Sequence, residues 1–216
     1  LQQGRRRHLA AAWGSAADLW TVGSEEGSGV LLHYAGSWQE VAVPAGPPLL
    51  AIHGGGAGAG AEVWAVGEGG RALRLVGGSW QSVDSGTTQA LRAVWRLSPD
   101  EVWAAGQGCT LVRFRSGRAE LMPRPDVSGP CDLAALWGSG PKDLWAAGSG
   151  DVVLHWDGDR FVLRYSGSIE GNLTGLHGEG GQVWAVGALG TLLRWNGLTM
   201  VPESRGAGRA LRKVFA

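Results

Sequence analysis

The segment LAALWGSGPKDLWAAGSGDVVLHWDGDRFVLRY, residues 133–165, contains four short apolar runs separated by residues that favour turns. Each run has the usual length of a β-strand. The runs cover residues 133–137, 143–147, 151–156 and 160–165. Gly-Ser-Gly occurs at 138–140 and at 148–150, and Asp157-Gly158 is a strong hairpin signal. The segment is therefore predicted to form four antiparallel strands joined by tight turns.

The same pattern recurs about every 40 residues along the chain. Repeats begin at Leu9, Leu50, Leu91, Leu133 and Leu173, and the stretch LRKVFA from Leu211 opens a sixth. Four antiparallel strands in a repeat of this length are typical of a β-propeller blade. We therefore predict an all-β fold in which residues 1–8 are an N-terminal basic segment. Residues 9–216 are predicted to form a β-propeller of four-stranded antiparallel blades, with five repeats and a stub.

The stub leaves the number of blades open. Either a five-bladed ring uses one terminal strand as an extra edge strand, or the repeats form part of a larger ring. We expect a closed five-bladed unit. An incomplete ring would expose Trp-rich blade faces, and such faces favour association with other chains.

The composition is that of a folded protein with many tight turns. Of the 216 residues 38 are Gly and 9 are Pro, and the glycines lack the every-third spacing of collagen. The 19 basic residues balance the 19 acidic ones, so no net charge attracts nucleic acid or an anionic membrane. No apolar run approaches the roughly 18 residues of a membrane-spanning segment.

Tryptophan occupies one position of the second strand in every repeat. These residues are Trp20, Trp64, Trp103, Trp145 and Trp184. Each is followed three residues later by a glycine, which we expect to adopt a positive φ in the turn. We expect each tryptophan ring to fill the wedge between two blades. The alternative interpretation is that the tryptophans are stacking platforms for sugars or bases. A first-strand series is also interpreted as packing: Trp13, His53, Trp95, Trp137 and His177.

An acidic series precedes these tryptophans by two residues. It consists of Asp18, Glu62, Glu101, Asp143 and Gln182. We interpret its members as turn residues that accept backbone N–H bonds. A cation-binding ring of carboxylates is the alternative, and Gln182 weakens it because an amide carries no charge.

A basic series lies in the third strands. It consists of His33, Arg74, Arg113, His155 and Arg194. Alternation along a strand places these side chains opposite the neighbouring third-strand aromatics. Exposed together, they would bind an anion or an acidic partner, because guanidinium groups form bidentate contacts with carboxylates. Separate salt bridges between blades would give the same pattern. These five residues are the predicted binding residues.

The repeats share the pattern L-x-x-[VL]-W-G-S-x-x-x-[DE]-[LV]-W-A-[VA]-G-x-x-G-x-[LV]-L-[HR]-[WY]-x-G. This pattern, over residues 9–216, resembles the Trp-rich β-propeller repeats of secreted and lipid-anchored bacterial proteins. It is similar to the BNR and photosystem-assembly-factor-like propellers. The resemblance implies a binding or scaffolding propeller in an extracellular, periplasmic or cell-surface location. The sialidase Asp-box S-x-D-x-G-x-x-W does not occur, so no sialidase activity is carried over.

The sequence contains no recognised catalytic motif. H-E-x-x-H, G-x-x-x-x-G-K-[ST] and G-x-S-x-G are all absent. The glycine-rich run from Gly54 to Ala59 resembles a dinucleotide fingerprint, but it precedes a predicted strand and not a helix, so we interpret it as a long turn. We expect no enzyme activity, no cofactor and no metal site.

The two cysteines, Cys109 and Cys131, lack the spacing and the histidine partners of a zinc site. They form either a disulfide, in an oxidising compartment, or two inert thiols.

Two functions remain. The first is a non-catalytic propeller that binds a protein partner at one rim, and the unequal loop lengths between strands favour it. The second is a lectin that binds simple glycans at repeated inter-blade sites. Neither involves nucleic acid.

Overall fold

The computed structural model of the protein describes residues 6–56, 62–167, 172–205 and 209–214. These residues form five four-stranded antiparallel sheets, one for each repeat. Within each sheet the strands are hydrogen-bonded to their neighbours in chain order. This arrangement confirms the predicted all-β fold with four-stranded blades.

The strands have the following bounds. Sheet 1 contains β1 (Arg7–Gly14), β2 (Leu19–Glu25), β3 (Ser28–Tyr34) and β4 (Trp38–Glu40). Sheet 2 contains β5 (Leu49–Gly55), β6 (Glu62–Gly67), β7 (Ala72–Val76) and β8 (Ser79–Val83). Sheet 3 contains β9 (Leu91–Ser98), β10 (Glu101–Gly106), β11 (Leu111–Arg115) and β12 (Arg118–Leu121). Sheet 4 contains β13 (Leu133–Gly140), β14 (Asp143–Gly148), β15 (Val153–Trp156) and β16 (Phe161–Tyr165). Sheet 5 contains β17 (Leu173–Glu179), β18 (Gln182–Gly187), β19 (Thr191–Trp195) and β20 (Met200–Arg205).

Among the described residues, helix is confined to short 3-10 turns between second and third strands. They span Glu68–Gly70, Gln107–Cys109 and Ala188–Gly190. Over the residues that the structure describes, no helix is therefore long enough to cross a membrane.

The four strands predicted within residues 133–165 are all present, but one predicted turn is wrong. Gly138 to Gly140 belong to β13, and the turn is formed by Pro141 and Lys142. A register shift between Gly138 and Gly140 marks a β-bulge, which lets the strand continue through the glycines.

Two further boundaries differ from the prediction in the second repeat. Leu49 pairs with Gly67 as Leu9 pairs with Gly23, so the equivalent of Leu9 lies one residue before the predicted start at Leu50. The glycine-rich run is also not wholly a turn, because Gly54 and Gly55 belong to β5. The rest of that run, from Ala57 onward, lies outside the described residues.

The chain divides into two compact units. The first unit comprises residues 1–104 and 112–122, and the second comprises residues 105–111 and 123–216. The first unit contains sheets 1 and 2 and most of sheet 3, and the second contains sheets 4 and 5.

Sheet 2 is apolar on both faces. One face, with Leu49, Leu73 and Trp80, packs in a buried cluster with Trp20 and Val22 of sheet 1. We call this the leading face, because it packs on the sheet that comes before it in the chain. Burial on both faces is expected for a sheet stacked between neighbours, and it accounts for the continuous apolar runs of the sequence.

The opposite face of sheet 2 is its trailing face, which packs on sheet 3. Trp64 and Val66 lie there in a second buried cluster with Leu91, Val112 and Phe114. Successive residues of one strand, such as Val63 and Trp64, thus serve different interfaces.

Aromatic contacts connect the second-strand tryptophans of sheets 1, 2 and 4 to the sheet that follows. The ring centroids of Trp20 and Trp80 are 5.7 Å apart, and those of Trp64 and Phe114 are 4.8 Å apart. In the second unit, Trp145 and Trp195 form a T-shaped pair at 4.8 Å. Tilted and edge-on pairs of this kind add about 0.5–1.5 kcal/mol to the burial of the rings.

Cys109 and Cys131 form a disulfide within the second unit. Of the two predicted alternatives, a disulfide or two inert thiols, the structure has the disulfide. It links the turn that follows β10 to the irregular segment 122–132, and a hydrogen bond from Gly108 N to Asp132 Oδ1 of 2.9 Å reinforces the link.

The predicted stub lies against sheet 5. Leu211 N donates to Gly187 O at 2.8 Å, and Thr174 Oγ1 donates to Leu211 O at 3.1 Å. The described residues 209–214 are not assigned to a strand.

The glycine that follows each second-strand tryptophan has a different role from the predicted one. Gly67, Gly106 and Gly187 have φ of −166°, −172° and −167°, which is extended backbone open to any residue. A Cβ at Gly148 would instead overlap the carbonyl oxygen of Asp132, just before the first strand of the same sheet. The glycine is therefore required for close approach of two backbone segments and not for a positive φ.

Gly148→Ala should destabilise the protein, because the new methyl group meets backbone that cannot rotate away. We expect a loss of about 1–3 kcal/mol in the free energy of unfolding, measured by urea denaturation. Gly140→Ala in the same sheet is the matched control, since a Cβ there meets nothing within 4 Å. Equal stability of the two variants would contradict this role of the glycine.

Candidate binding site

The predicted basic residues lie directly across from the second-strand tryptophans. The register pairs Trp20 with His33, Trp64 with Arg74, Trp145 with His155 and Trp184 with Arg194. Cross-strand partners project to the same face of a sheet, so each cation or imidazole can lie on the tryptophan ring. Arg74 therefore occupies the same register position as His33, His155 and Arg194.

Each of these side chains stacks on its tryptophan. The imidazoles of His33 and His155 lie 3.7 and 4.2 Å from the ring centroids of Trp20 and Trp145. The guanidinium carbon lies 5.5 Å from the ring for Arg74, 5.1 Å for Arg113 and 5.8 Å for Arg194. These distances are within cation–π range.

The acidic series supplies the second partner of each basic residue in four sheets. Asp18 contacts His33 at 2.6 Å, and Glu62 contacts Arg74 at 2.6 Å. Glu101 contacts Arg113 at 2.8 Å, and Asp143 contacts His155 at 2.9 Å. In sheet 5, where the acidic position holds Gln182, Arg194 contacts Glu203 at 2.5 Å.

The structure gives these carboxylates partners that neither sequence interpretation anticipated. These carboxylates accept bonds from third-strand cations of their own sheet and, at Glu101 and Asp143, from the tryptophan two residues on. Across the part of the chain that the structure describes, no three His, Cys, Asp or Glu side chains are grouped as a metal site requires.

The hydrogen bonds of Asp143 control its ionisation. Burial alone raises the pKa of this carboxyl, but bonds from Ser139, Trp145 and His155 outweigh burial and hold the pKa below its usual value. Asp143 is thus kept as an anion inside its sheet.

Sheets 2 and 3 differ from the others because the glutamate of the acidic series contacts two arginines in each. Arg96 approaches the second oxygen of Glu62 at 3.1 Å, and Arg115 approaches Glu101 at 3.6 Å. Two carboxylates therefore face four guanidinium groups, all within the first unit. We call this set the arginine edge; it consists of Arg74, Arg96, Arg113 and Arg115.

The exposure of the arginine edge is graded. The Arg115 side chain is 61% exposed, whereas those of Arg74, Arg96 and Arg113 are partly buried against Glu62 and Glu101. Buried Glu101 and half-buried Glu62 fix the inner guanidinium groups, and Arg115 projects into solvent. The edge is thus a positively charged surface of defined geometry.

His53 lies next to this edge. Its ring stacks on Trp95 with centroids 4.2 Å apart, and its Nδ1 accepts a hydrogen bond of 3.0 Å from Arg96 N. Burial, together with the nearby Arg96 charge, lowers the pKa of His53 to about 4. The imidazole is neutral at neutral pH, as its acceptor role requires.

The structure brings only part of the predicted binding set together. Arg74 and Arg113 belong to the arginine edge. His33, His155 and Arg194 each pair with one carboxylate in their own sheet. The alternative interpretation was salt bridges between blades. Over the described residues, the pairs of the basic series lie within single sheets, whereas the Glu62–Arg96 pair joins sheets 2 and 3.

Sequence reasoning missed Arg96 and Arg115. Arg96 follows the first-strand aromatic Trp95, at a position where the other repeats have glycine. Those glycines are Gly14, Gly54, Gly138 and Gly178. An arginine in place of this repeated glycine could have identified Arg96 as a candidate binding residue from the sequence. Arg115 carries no such signal, because its position varies in every repeat.

Comparison with known proteins supports the fold. No protein-family model and no curated protein matches this sequence. Among solved structures, "YCF48 bound to D1 peptide" is similar with a TM-score of 0.69 and 19% identity, covering 97% of this chain and 71% of that one. YCF48 from Cyanidioschyzon merolae is similar with a TM-score of 0.56 and 17% identity, covering 76% of this chain and 59% of that one.

These likenesses confirm the β-propeller fold. They also support, at the level of fold, the resemblance to photosystem-assembly-factor-like propellers. The BNR part of that resemblance stays a prediction. The chain spans less than two thirds of the Cyanidioschyzon merolae structure.

The Glu101 cluster should stabilise its sheet far more than the exposed pair in sheet 1. Glu101→Gln removes the buried charge that Arg113 contacts at 2.8 Å, so we expect a loss of about 3 kcal/mol in the free energy of unfolding. Asp18→Asn, at the more exposed pair with His33, should lose less than about 1 kcal/mol. Chemical denaturation measures both, and equal losses would show that the buried charge is not the cause.

Proposed function

We propose that this chain is a non-catalytic β-propeller module that binds a protein partner in a scaffolding or assembly role. The observation that carries the proposal is the clustering of four arginines around Glu62 and Glu101 at the arginine edge. Four guanidinium groups share Glu62 and Glu101 in ion pairs, so guanidinium groups are concentrated on one side of sheets 2 and 3. Such a surface fits an acidic segment of a partner.

The inner arginines are held in place before a partner arrives. Arg74 and Arg113 each bond a glutamate and lie on a tryptophan ring, which restricts their rotamers. Side chains that are already ordered lose less entropy on binding. Planar guanidinium groups also bind carboxylates in bidentate geometry, which gives direction to the contact.

A solved protein of similar fold supports peptide binding by a propeller of this kind. The YCF48 structure with the TM-score of 0.69 is that of YCF48 bound to D1 peptide. For the present chain, binding of a peptide segment is part of the proposal.

The burial of the tryptophans favours a protein-binding module over a lectin. Trp64, Trp103 and Trp145 are almost fully buried, and each has a cation or imidazole on its ring. A ring covered in this way has no free face for a sugar.

We also propose that the protein works in an oxidising compartment, either extracellular, periplasmic or at the cell surface. The Cys109–Cys131 disulfide supports this location, because cysteines in reducing compartments stay as free thiols.

A titration with synthetic peptides tests the binding proposal. The probes are a fluorescein-labelled twelve-residue peptide of alternating Glu and Gly, and peptides with Lys or Ser in place of Glu. Fluorescence anisotropy should show binding of the Glu peptide alone, weakened by added salt. Arg115→Glu and Arg96→Gly should each reduce affinity by about tenfold.

The control is Arg124→Glu, at an exposed arginine outside the arginine edge. It should bind the Glu peptide like the wild type. Equal binding of all three peptides, or an equal loss in the control, would contradict a role for the arginine edge.

A further inference from the structure

A cavity of about 300 Å³ lies beside sheet 4, within the second unit. Three segments line it: residues 128–130 before sheet 4, residues 149, 150 and 152 at the turn between β14 and β15, and residues 166–167 after β16. We call it the sheet 4 cavity. Ligand sites for small molecules have volumes of roughly 300–1,000 Å³, so a cavity of this size suits a single side chain.

The corresponding turn of sheet 2 shows what can occupy this place. Gly67 N donates to Arg71 O at 2.9 Å, and Gly148 N donates to Val152 O at 3.1 Å. Because the two glycines hold the same position after the second-strand tryptophan, Arg71 is the equivalent of Val152. Val152 is 1% exposed and is the most buried residue of the cavity lining.

The loops that precede the two sheets also correspond. Pro48 O accepts a hydrogen bond from the turn of sheet 2, and Asp132 O accepts one from the turn of sheet 4. Counted back from these two residues, residues 44–46 are the equivalents of residues 128–130, which line the sheet 4 cavity.

In sheet 2 a guanidinium group lies at this place. The two terminal nitrogens of Arg71 donate to Pro47 O and to Pro44 O. A Cβ on Gly46, the equivalent of Pro130, would lie 3.1 Å from Arg71 Nε, so the group rests directly on the loop. The repeat therefore holds a planar cation here by means of loop carbonyls.

Sheet 4 has acceptors at this place but no cation of its own. Val152 has an apolar side chain, and no basic residue is among the described residues that line the cavity. Ser128 O is the equivalent of Pro44 O. The hydroxyls of Ser128, Ser149 and Ser166 can also accept hydrogen bonds.

A carboxyl group lies behind one wall of the cavity. Asp151, which is 3% exposed, holds the turn position of Gly70 in sheet 2. A Cβ on Gly167, a lining residue, would lie 2.8 Å from Asp151 Oδ2. Sheet 4 thus loses the cation of sheet 2 and gains an acidic side chain.

We propose that the sheet 4 cavity binds the guanidinium group of an arginine side chain from a protein partner. A guanidinium group has five N–H donors in one plane, which suits acceptors on three separate chain segments. An ammonium group has three donors at a single point and fits such acceptors less well. This site lies in the second unit and does not depend on the arginine edge, which lies in the first.

A nuclear magnetic resonance titration of the full chain tests the site. The probe is the acetylated, amidated tripeptide of sequence Gly, Arg, Gly. It is compared with peptides that carry lysine or citrulline, an uncharged analogue of arginine, in the middle position. The arginine peptide should give saturable shifts of the amide signals of Gly129, Gly150 and Gly167. The other two peptides should bind at least about fivefold more weakly.

Gly150→Leu should weaken binding of the arginine peptide by at least about tenfold. A Cβ on Gly150 would lie 3.7 Å from Pro130 O and 3.8 Å from Val152 Cγ2, so the new side chain extends into the cavity. Leucine is compatible with this turn, because Leu189 holds the equivalent position of sheet 5 with a φ of 57°. The matched control is Gly108→Leu in the same turn position of sheet 3, where a Cβ meets nothing within 4 Å. It should bind like the wild type.

The proposal is overturned if the arginine peptide gives no saturable shift, or if the citrulline peptide binds equally well. Equal affinity of Gly150→Leu and Gly108→Leu would also overturn it. The spectrum of each variant reports whether the chain is folded. If Gly150→Leu does not fold, Asp151→Asn decides: it keeps the side-chain shape and should weaken binding about threefold, whereas unchanged affinity would contradict the site.

Discussion

The packing of one tryptophan per sheet determines the rest of this structure. In each sheet the ring lies on the second strand, and in sheets 1, 2 and 4 an aromatic residue of the following sheet contacts it. Four of the five rings are buried. Because a sheet of four short strands has little core of its own, stability depends on burying both faces against neighbours. The tryptophan is the largest contributor to that burial.

The same ring links packing to the chemistry of the candidate site. Its face is covered by a third-strand cation or imidazole, and a carboxylate two residues earlier fixes that group in four sheets. Because the tryptophan recurs in every sheet together with the groups that cover it, a similar ion pair recurs in four sheets. The proposed binding surface lies where this unit is altered: sheets 2 and 3 gain Arg96 and Arg115, which contact the same two glutamates as Arg74 and Arg113. Variation on the repeat, and not the repeat itself, distinguishes the binding surface.

The sequence predicted the fold well because the repeated features are local. Strand positions depend on features within a single repeat, namely the apolar runs, the Asp157-Gly158 turn and the tryptophan spacing. The strands are found where these features predict them. Prediction failed where two segments meet. Gly148 was expected to serve a turn, but it is required by the approach of Asp132. The partners of Asp18 and Glu62 lie on another strand, and the Glu62–Arg96 contact joins residues 34 positions apart, so neither could be read from one strand alone.

A double-mutant cycle on Trp20 and Trp80 tests most directly whether this ring fastens each sheet to the next. Trp20→Leu, Trp80→Leu and the double variant are compared by urea denaturation with the wild type. We expect a coupling energy of about 1 kcal/mol, because each substitution removes the same aromatic contact. Additive losses, with coupling below about 0.3 kcal/mol, would show that the two rings stabilise their sheets separately and would contradict the central claim.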